Sequence, residues 1–178
     1  MTARQVDRTL NRLACEILER NRGAQNVMLV GILQSGAAVA ERLAAEIRTI
    51  ETLPLGVYDL DTTAFRDDRP GPGSRADSGA GDTSPHHAEG SLPDVTDRDV
   101  VLVDDVLFTG RTVRAALDAI VTYGRPRSIQ LAVLVDRGHR EFPIQPDYVG
   151  RTMPTKHRED VQVLTDGGIH VDVVEERS

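Results

Sequence analysis

Val100-Val101-Leu102-Val103-Asp104-Asp105-Val106-Leu107-Phe108-Thr109-Gly110-Arg111-Thr112 (VVLVDDVLFTGRT) is the stretch whose reading decides the fold. Four apolar residues in a row, with no polar alternation, read as a strand buried on both faces, Val100 to Val103, of the kind parallel sheets use. Asp104 and Asp105 stand at its carboxyl end, where ligands bind in open parallel sheets. The turn Thr109-Gly110-Arg111-Thr112 then opens a helix predicted from Thr112 to Val121. Its backbone N–H groups, the positive end of the helix dipole and two threonine hydroxyls suit a phosphate monoester, and Gly110 lets the backbone approach closely. Two carboxylates would repel a bare phosphate, so a neutral or cationic group should lie between. A ribose diol, whose hydroxyls donate to carboxylates, fits, and the implied ligand is a ribose 5-phosphate, with Mg²⁺ nearby.

Working outward, the pattern is strands alternating with helices. Val6, Leu10, Leu13, Ala14, Ile17 and Leu18 recur at three- and four-residue steps and predict an amphipathic helix closing near Asn21 to Gly23. Val27 to Ile32 reads as a buried strand, Ala37 to Ile50 as a helix, Pro54 to Leu60 as a second strand and Ser128 to Val135 as another. Weaker strand signals lie around Tyr148, Val161 to Leu164 and His170 to Val174. The expected class is α/β, one domain over residues 1–178, with a mainly parallel central sheet and helices on both faces. More than half of residues 69–93 are Gly, Pro or Ser, so the region of about 66–94 reads as a long mobile loop over the site; such loops are usually lids or inserts.

Composition narrows the chemistry. The chain has 178 residues and a net charge of −7, with no apolar run near the roughly 20 residues a membrane span needs. Its first residues lack the apolar core and cleavage site of a secretory signal, and the expected location is the cytoplasm. One cysteine, Cys15, excludes an internal disulfide, and without cysteine partners the five histidines have no structural zinc spacing. Every basic residue but Lys156 is arginine, which excludes the Gly-Lys-Ser/Thr phosphate loop and kinase-type lysines. The acidic balance opposes indiscriminate nucleic-acid binding, while leaving room for a local arginine patch.

The stretch Val100 to Thr112 resembles the phosphoribosyl-pyrophosphate (PRPP) motif of type I phosphoribosyltransferases. Residues 8–23, Arg66-Asp67-Asp68, Gly124-Arg125-Pro126, residues 129–141 (IQLAVLVDRGHRE), Pro143-Ile144 and Pro154-Thr155 are similar to the PyrR family of bacterial pyrimidine operon regulators. That resemblance implies a type I phosphoribosyltransferase fold and transfer of the phosphoribosyl group of PRPP to uracil, giving UMP and diphosphate with Mg²⁺. It also implies binding of the pyrimidine-operon leader mRNA under control of UMP or UTP, which regulates transcription by attenuation, and a homo-oligomer, dimer or higher. By resemblance, Asp104 and Asp105 hold the ribose hydroxyls and, with Arg66 at the base of the loop, are the catalytic residues. Gln34, Ser35 and Gly36 form the pyrophosphate loop, and Asp136 and Arg137 neighbour pyrophosphate and metal. Asp104, Asp105 and Asp136 are metal candidates, through PRPP or water. Arg8, Arg12, Arg20, His139, Arg140, Arg151 and Lys156 are the RNA candidates.

The sequence departs from that family in places. The loop Leu33-Gln34-Ser35-Gly36 has no basic residue, and Cys15, Asn11 and Gln145 stand where the family usually has other side chains. Two alternatives therefore stay open at the level of sequence: an RNA-binding regulator with weak or absent catalysis, and a phosphoribosyltransferase for another base with no RNA role.

Overall fold

A computed structural model describes residues 1–33, 35–65, 92–155, 159–165 and 168–175. Five strands form one parallel sheet: β1 (Val27–Ile32), β2 (Gly56–Leu60), β3 (Asp99–Leu107), β4 (Ser128–Asp136) and β5 (Tyr148–Thr152), in the order β2-β1-β3-β4-β5. Helices α1 (Ala3–Asn21) and α2 (Ser35–Ile50) cover one face and α3 (Arg111–Ile120) the other. The last two strands, β6 (Glu159–Leu164) and β7 (His170–Glu175), pair antiparallel in a hairpin that shares no ladder with the main sheet. This is the α/β architecture that the alternation of elements predicts. Among the described residues, no helix is long and apolar enough to cross a membrane.

The layering follows from the side chains. All six apolar positions of the first helix are buried: Val6, Leu10, Leu13, Ala14, Ile17 and Leu18. Thr2 and Gln5 cap its start reciprocally, satisfying two amides that the helix cannot. Arg22, in the left-handed conformation, closes it, and the Gly23 N–H bonds back to the Leu18 carbonyl. Along β3, Val101 and Val103 face the α1–α2 layer while Val100 and Leu102 face α3, so this strand is buried on both sides. A fully buried leucine here contributes about 2 kcal/mol.

The first helix is also tied to the far end of the sheet by polar contacts. Asn21 exchanges hydrogen bonds with Gln130 and reaches the Tyr148 hydroxyl. Burial pushes the Tyr148 phenol above its usual range. Arg12 donates to the Val149 and Gly150 carbonyls at 3.0 and 2.7 Å.

Two expectations change. Strand β3 does not stop at Val103 but runs to Leu107, because β4 continues beside it and gives Val106 and Leu107 ladder partners in Val135 and Asp136. Asp104 and Asp105 therefore lie within the strand's last turn of pleat rather than after it. The end of the predicted loop is also corrected: Leu92 and Val95 are buried in the α3-side core, anchoring the approach to β3. Gln34, Arg66, Lys156 and residues 66–91 of the loop lie outside the described residues.

Candidate active site

The chain leaves β1 outward to β2, then returns to place β3 on the other side of β1. The reversal of direction between β1 and β3 is the topological switch point, where the carboxyl ends of an open sheet leave a crevice. One wall is Leu33, Ser35 and Gly36, leading into α2; the other is Asp104 to Thr112, leading into α3. Two glycines let α2 come this close. A Cβ on Gly36 would stand 2.8 Å from the Val103 carbonyl oxygen and 3.2 Å from the Asp104 Cα, and one on Gly31 would stand 2.6 Å from the Ala37 Cα. Gly36→Ala and Gly31→Ala are each expected to cost about 1–3 kcal/mol through backbone displacement, read by urea unfolding. Unchanged midpoints would show that the helix start yields freely.

Gly110 holds φ +89° as the N-cap of α3 and has no side chain to cap it, while the Thr109 hydroxyl accepts the Arg111 N–H at 3.3 Å. Asp104 and residues 106–113 line a cleft of about 260 Å³ there. Asp104 Oδ1 accepts the Asp105 N–H at 3.0 Å, and Asp105 Oδ1 accepts the Val106 N–H at 2.8 Å. Asp105 is half-buried and just outside the cleft lining.

Behind the turn lies the segment after β4. The Thr109 carbonyl accepts the Glu141 and Phe142 N–H groups at 2.9 and 3.1 Å. The Arg111 side chain turns back to Glu141, with Nε 2.7 Å from Oε2, and the Arg111 and Arg114 guanidinium groups lie over the Phe142 ring. So the turn is fixed by its own backbone and by a neighbour about 30 residues later in the chain.

That neighbouring segment corrects several expectations. Arg140, expected nearer an RNA face, points inward. Its guanidinium donates to Asp136 Oδ1 at 2.7 Å and to the Phe108, Gly138 and Ile144 carbonyls at 3.0, 3.2 and 3.0 Å. The pair is mostly buried, with side chains 15% and 16% exposed. The Oδ1 of Asp136 also accepts the Gly138 N–H, so this oxygen is engaged within its own loop. Arg137, expected beside pyrophosphate, is 7% exposed and bonded to Thr155, Glu159 and Asp160. His139 is exposed, edge-on to Phe108, with Nε2 2.7 Å from the Thr155 carbonyl oxygen.

Four other basic candidates lie on α1 and on β5, the edge strand beside β4. Arg8 and Arg151 are exposed. Arg12 bridges α1 to β5 and also pairs with Glu16, while Arg20 pairs with Asp147 at 2.8 Å and lies over the Tyr148 ring. Among the described residues no three acidic, histidine or cysteine side chains gather as a metal cage. The donor set fits an ion held chiefly by substrate oxygens and water, with Asp104 and Asp105 beside it, which is how Mg²⁺ usually binds.

Sequence reasoning missed Gly31, Phe108 as a ring against Arg137, and the Glu141–Phe142 backing. None has a local signal: each acts on a partner brought close only by the sheet.

The phosphoribosyl transferase domain family matches residues 2–165. The chain is 50% identical over 162 residues to the bifunctional protein PyrR of Bacillus subtilis, covering 90% of this chain and 86% of that one. It is 49% identical over 179 residues to the bifunctional protein PyrR of Deinococcus deserti, covering 98% and 91%. Among solved structures, a hypoxanthine-guanine phosphoribosyltransferase of Bacillus anthracis is similar at TM-score 0.64 and 16% identity, covering 88% of this chain and 82% of that one. An enzyme of the same kind from Leishmania tarentolae, bound to GMP, gives 0.63 and 20%, covering 90% and 82%. At those identities the structural likeness speaks for the fold.

Proposed function

The chain belongs to the phosphoribosyl transferase family, in its PyrR branch, and from that premise we propose that it makes UMP and diphosphate from uracil and PRPP and also binds pyrimidine-operon leader mRNA to control transcription attenuation. The observation that carries the transferase half is the phosphate-shaped turn at the switch point, with the acidic pair immediately before it on the same strand.

In this reading the amides of Gly110 to Val113 and the hydroxyls of Thr109 and Thr112 hold the 5-phosphate. Asp104 and Asp105 accept the ribose hydroxyls and stabilise the positive charge that develops on the sugar as uracil nitrogen displaces diphosphate at the anomeric carbon. The Ser35 and Gly36 amides at the start of α2 meet the leaving diphosphate, taking the place of a basic side chain in that loop. Arg66 is proposed to neutralise charge on the diphosphate. Asp104 and Asp105 would lie beside Mg²⁺ brought in with PRPP, and the ion would supply neutralisation of charge on the leaving diphosphate. No covalent enzyme intermediate is needed, since holding the two reactants in line and excluding water supplies most of the acceleration.

For the regulatory half, the exposed edge formed by α1 and β5 offers Arg8 and Arg151, and these are the residues proposed to meet RNA phosphates. UMP or UTP in the nucleotide site is the effector, the assembly is a homo-oligomer, and the compartment is the cytoplasm.

The test is UMP formation from labelled uracil, PRPP and Mg²⁺, run beside leader-RNA binding with and without UMP. Activity together with UMP-dependent RNA binding is expected. RNA binding with no UMP formation would remove the transferase half. Arg8→Ala and Arg151→Ala together are expected to weaken RNA binding by about tenfold at moderate salt and to flatten its salt dependence by about two charges, leaving UMP formation intact. An unchanged salt slope would move the RNA face elsewhere.

A further inference from the structure

The hairpin β6–β7 stands at the carboxyl edge of the sheet without sharing a strand ladder with it. Val161 and Val171 pack it into the α1-side core, and Val171 exchanges backbone hydrogen bonds with Met1 on that side. Towards the phosphate turn, its directional contacts converge on one side chain.

Arg137 directly follows β4, with its backbone N–H on the Leu107 carbonyl at 3.0 Å. Its guanidinium lies 4.2 Å from the centre of the Phe108 ring. Nε donates to Thr155 Oγ1 at 2.7 Å, one terminal nitrogen to Asp160 Oδ1 at 3.0 Å, and the other to the Glu159 carbonyl. One planar group therefore touches Phe108, which directly precedes the phosphate turn, as well as the β5–β6 connection and the first two residues of β6. His139 repeats the pattern from outside, with its ring against Phe108 and Nε2 on the Thr155 carbonyl.

Burying a guanidinium costs several kcal/mol that an apolar residue of similar size would avoid, so packing alone is a poor reason for it. What arginine adds is a rigid fork that fixes the relative positions of its acceptors, together with a face that stacks on an aromatic ring.

We propose that Arg137 is a positioning residue that keeps the phosphate turn and the β6–β7 hairpin at a fixed separation, so that a nucleotide can be gripped at both of its ends at once. The proposal rests on the transferase reading above. A ligand that engages only the turn does not need that separation; a nucleotide, with its base at the other end of the ribose from its phosphate, does.

The experiment is calorimetric titration of the full chain with ribose 5-phosphate and with UMP, comparing wild type with Arg137→Met, Arg137→Lys and Asp160→Asn. Asp160 is half-exposed, so its substitution keeps the test alive if Arg137→Met fails to fold. The expected result is selective. Ribose 5-phosphate binds every variant within about twofold of wild type, while UMP weakens about tenfold in Arg137→Met, the size of coupling seen within one contact network. Arg137→Lys recovers part of that loss, and Asp160→Asn shows a smaller loss of the same kind. Equal weakening of both ligands, or unchanged UMP affinity, overturns the proposal. A wild-type protein that binds neither ligand overturns the transferase reading itself, and the proposal with it.

Discussion

Asp104→Asn and Asp105→Asn are each expected to lower UMP formation by about 10²- to 10³-fold, the usual loss when one group placed against developing charge is removed. The fold should survive both changes. Each carboxylate uses one oxygen to accept a backbone amide, Asp104 from Asp105 and Asp105 from Val106, and an asparagine oxygen can do the same. What asparagine lacks is the negative charge that meets the sugar's hydroxyl hydrogens and its growing positive charge. The measurement is kcat and KM for PRPP in the uracil assay, with thermal unfolding as the control. A fall in kcat with an unchanged Tm supports the assignment; turnover near wild type in Asp105→Asn would remove that residue from the ribose site.

Arg140→Met is expected to destabilise the protein by about 3–5 kcal/mol, because it strands a mostly buried carboxylate, Asp136, without its cation. The same change frees the carbonyls of Phe108, Gly138 and Ile144, which lie behind the phosphate turn. Urea unfolding gives the stability. A cycle with Asp136→Asn separates the pair from the carbonyl contacts, since the double variant should recover part of the single variant's loss. If Arg140→Met left stability untouched and reduced RNA affinity alone, the inward clamp would be wrong and the arginine would belong on the RNA face.

The parts of the molecule that were legible in the sequence are those encoded locally. A helix that repeats its apolar residues at three and four positions, as the first one does from Val6 to Leu18, announces its buried face before any partner is known. So does a strand such as Val100 to Val103, and so does the turn at Gly110, where backbone conformation, helix start and cleft lining coincide in four residues. Arg137, Arg140 and Arg12 show where such reading stops. Each is a charged residue in a polar stretch, and sequence alone cannot tell a cation aimed at phosphate from one aimed at a carbonyl on another strand. The decision is made by β4 running beside β3, and by α1 lying over β5, at separations of about 30 and 140 residues. The end of β3 was misjudged for the same reason, since only β4 alongside gives Val106 and Leu107 ladder partners.

The attachment of α1 to the far edge of the sheet also bears on how the chain acquires its structure during synthesis. Helix α1 is made well before its polar anchors Gln130, Tyr148, Val149 and Gly150, and β1 finds one of its two neighbours only when β3 emerges. Long closures of this kind are slow to form and leave intermediates exposed. The N-terminal third, in which α1 has α2 but neither β4 nor β5 to pack on, therefore waits for the later strands, and truncation after β2 is expected to leave a fragment that does not fold.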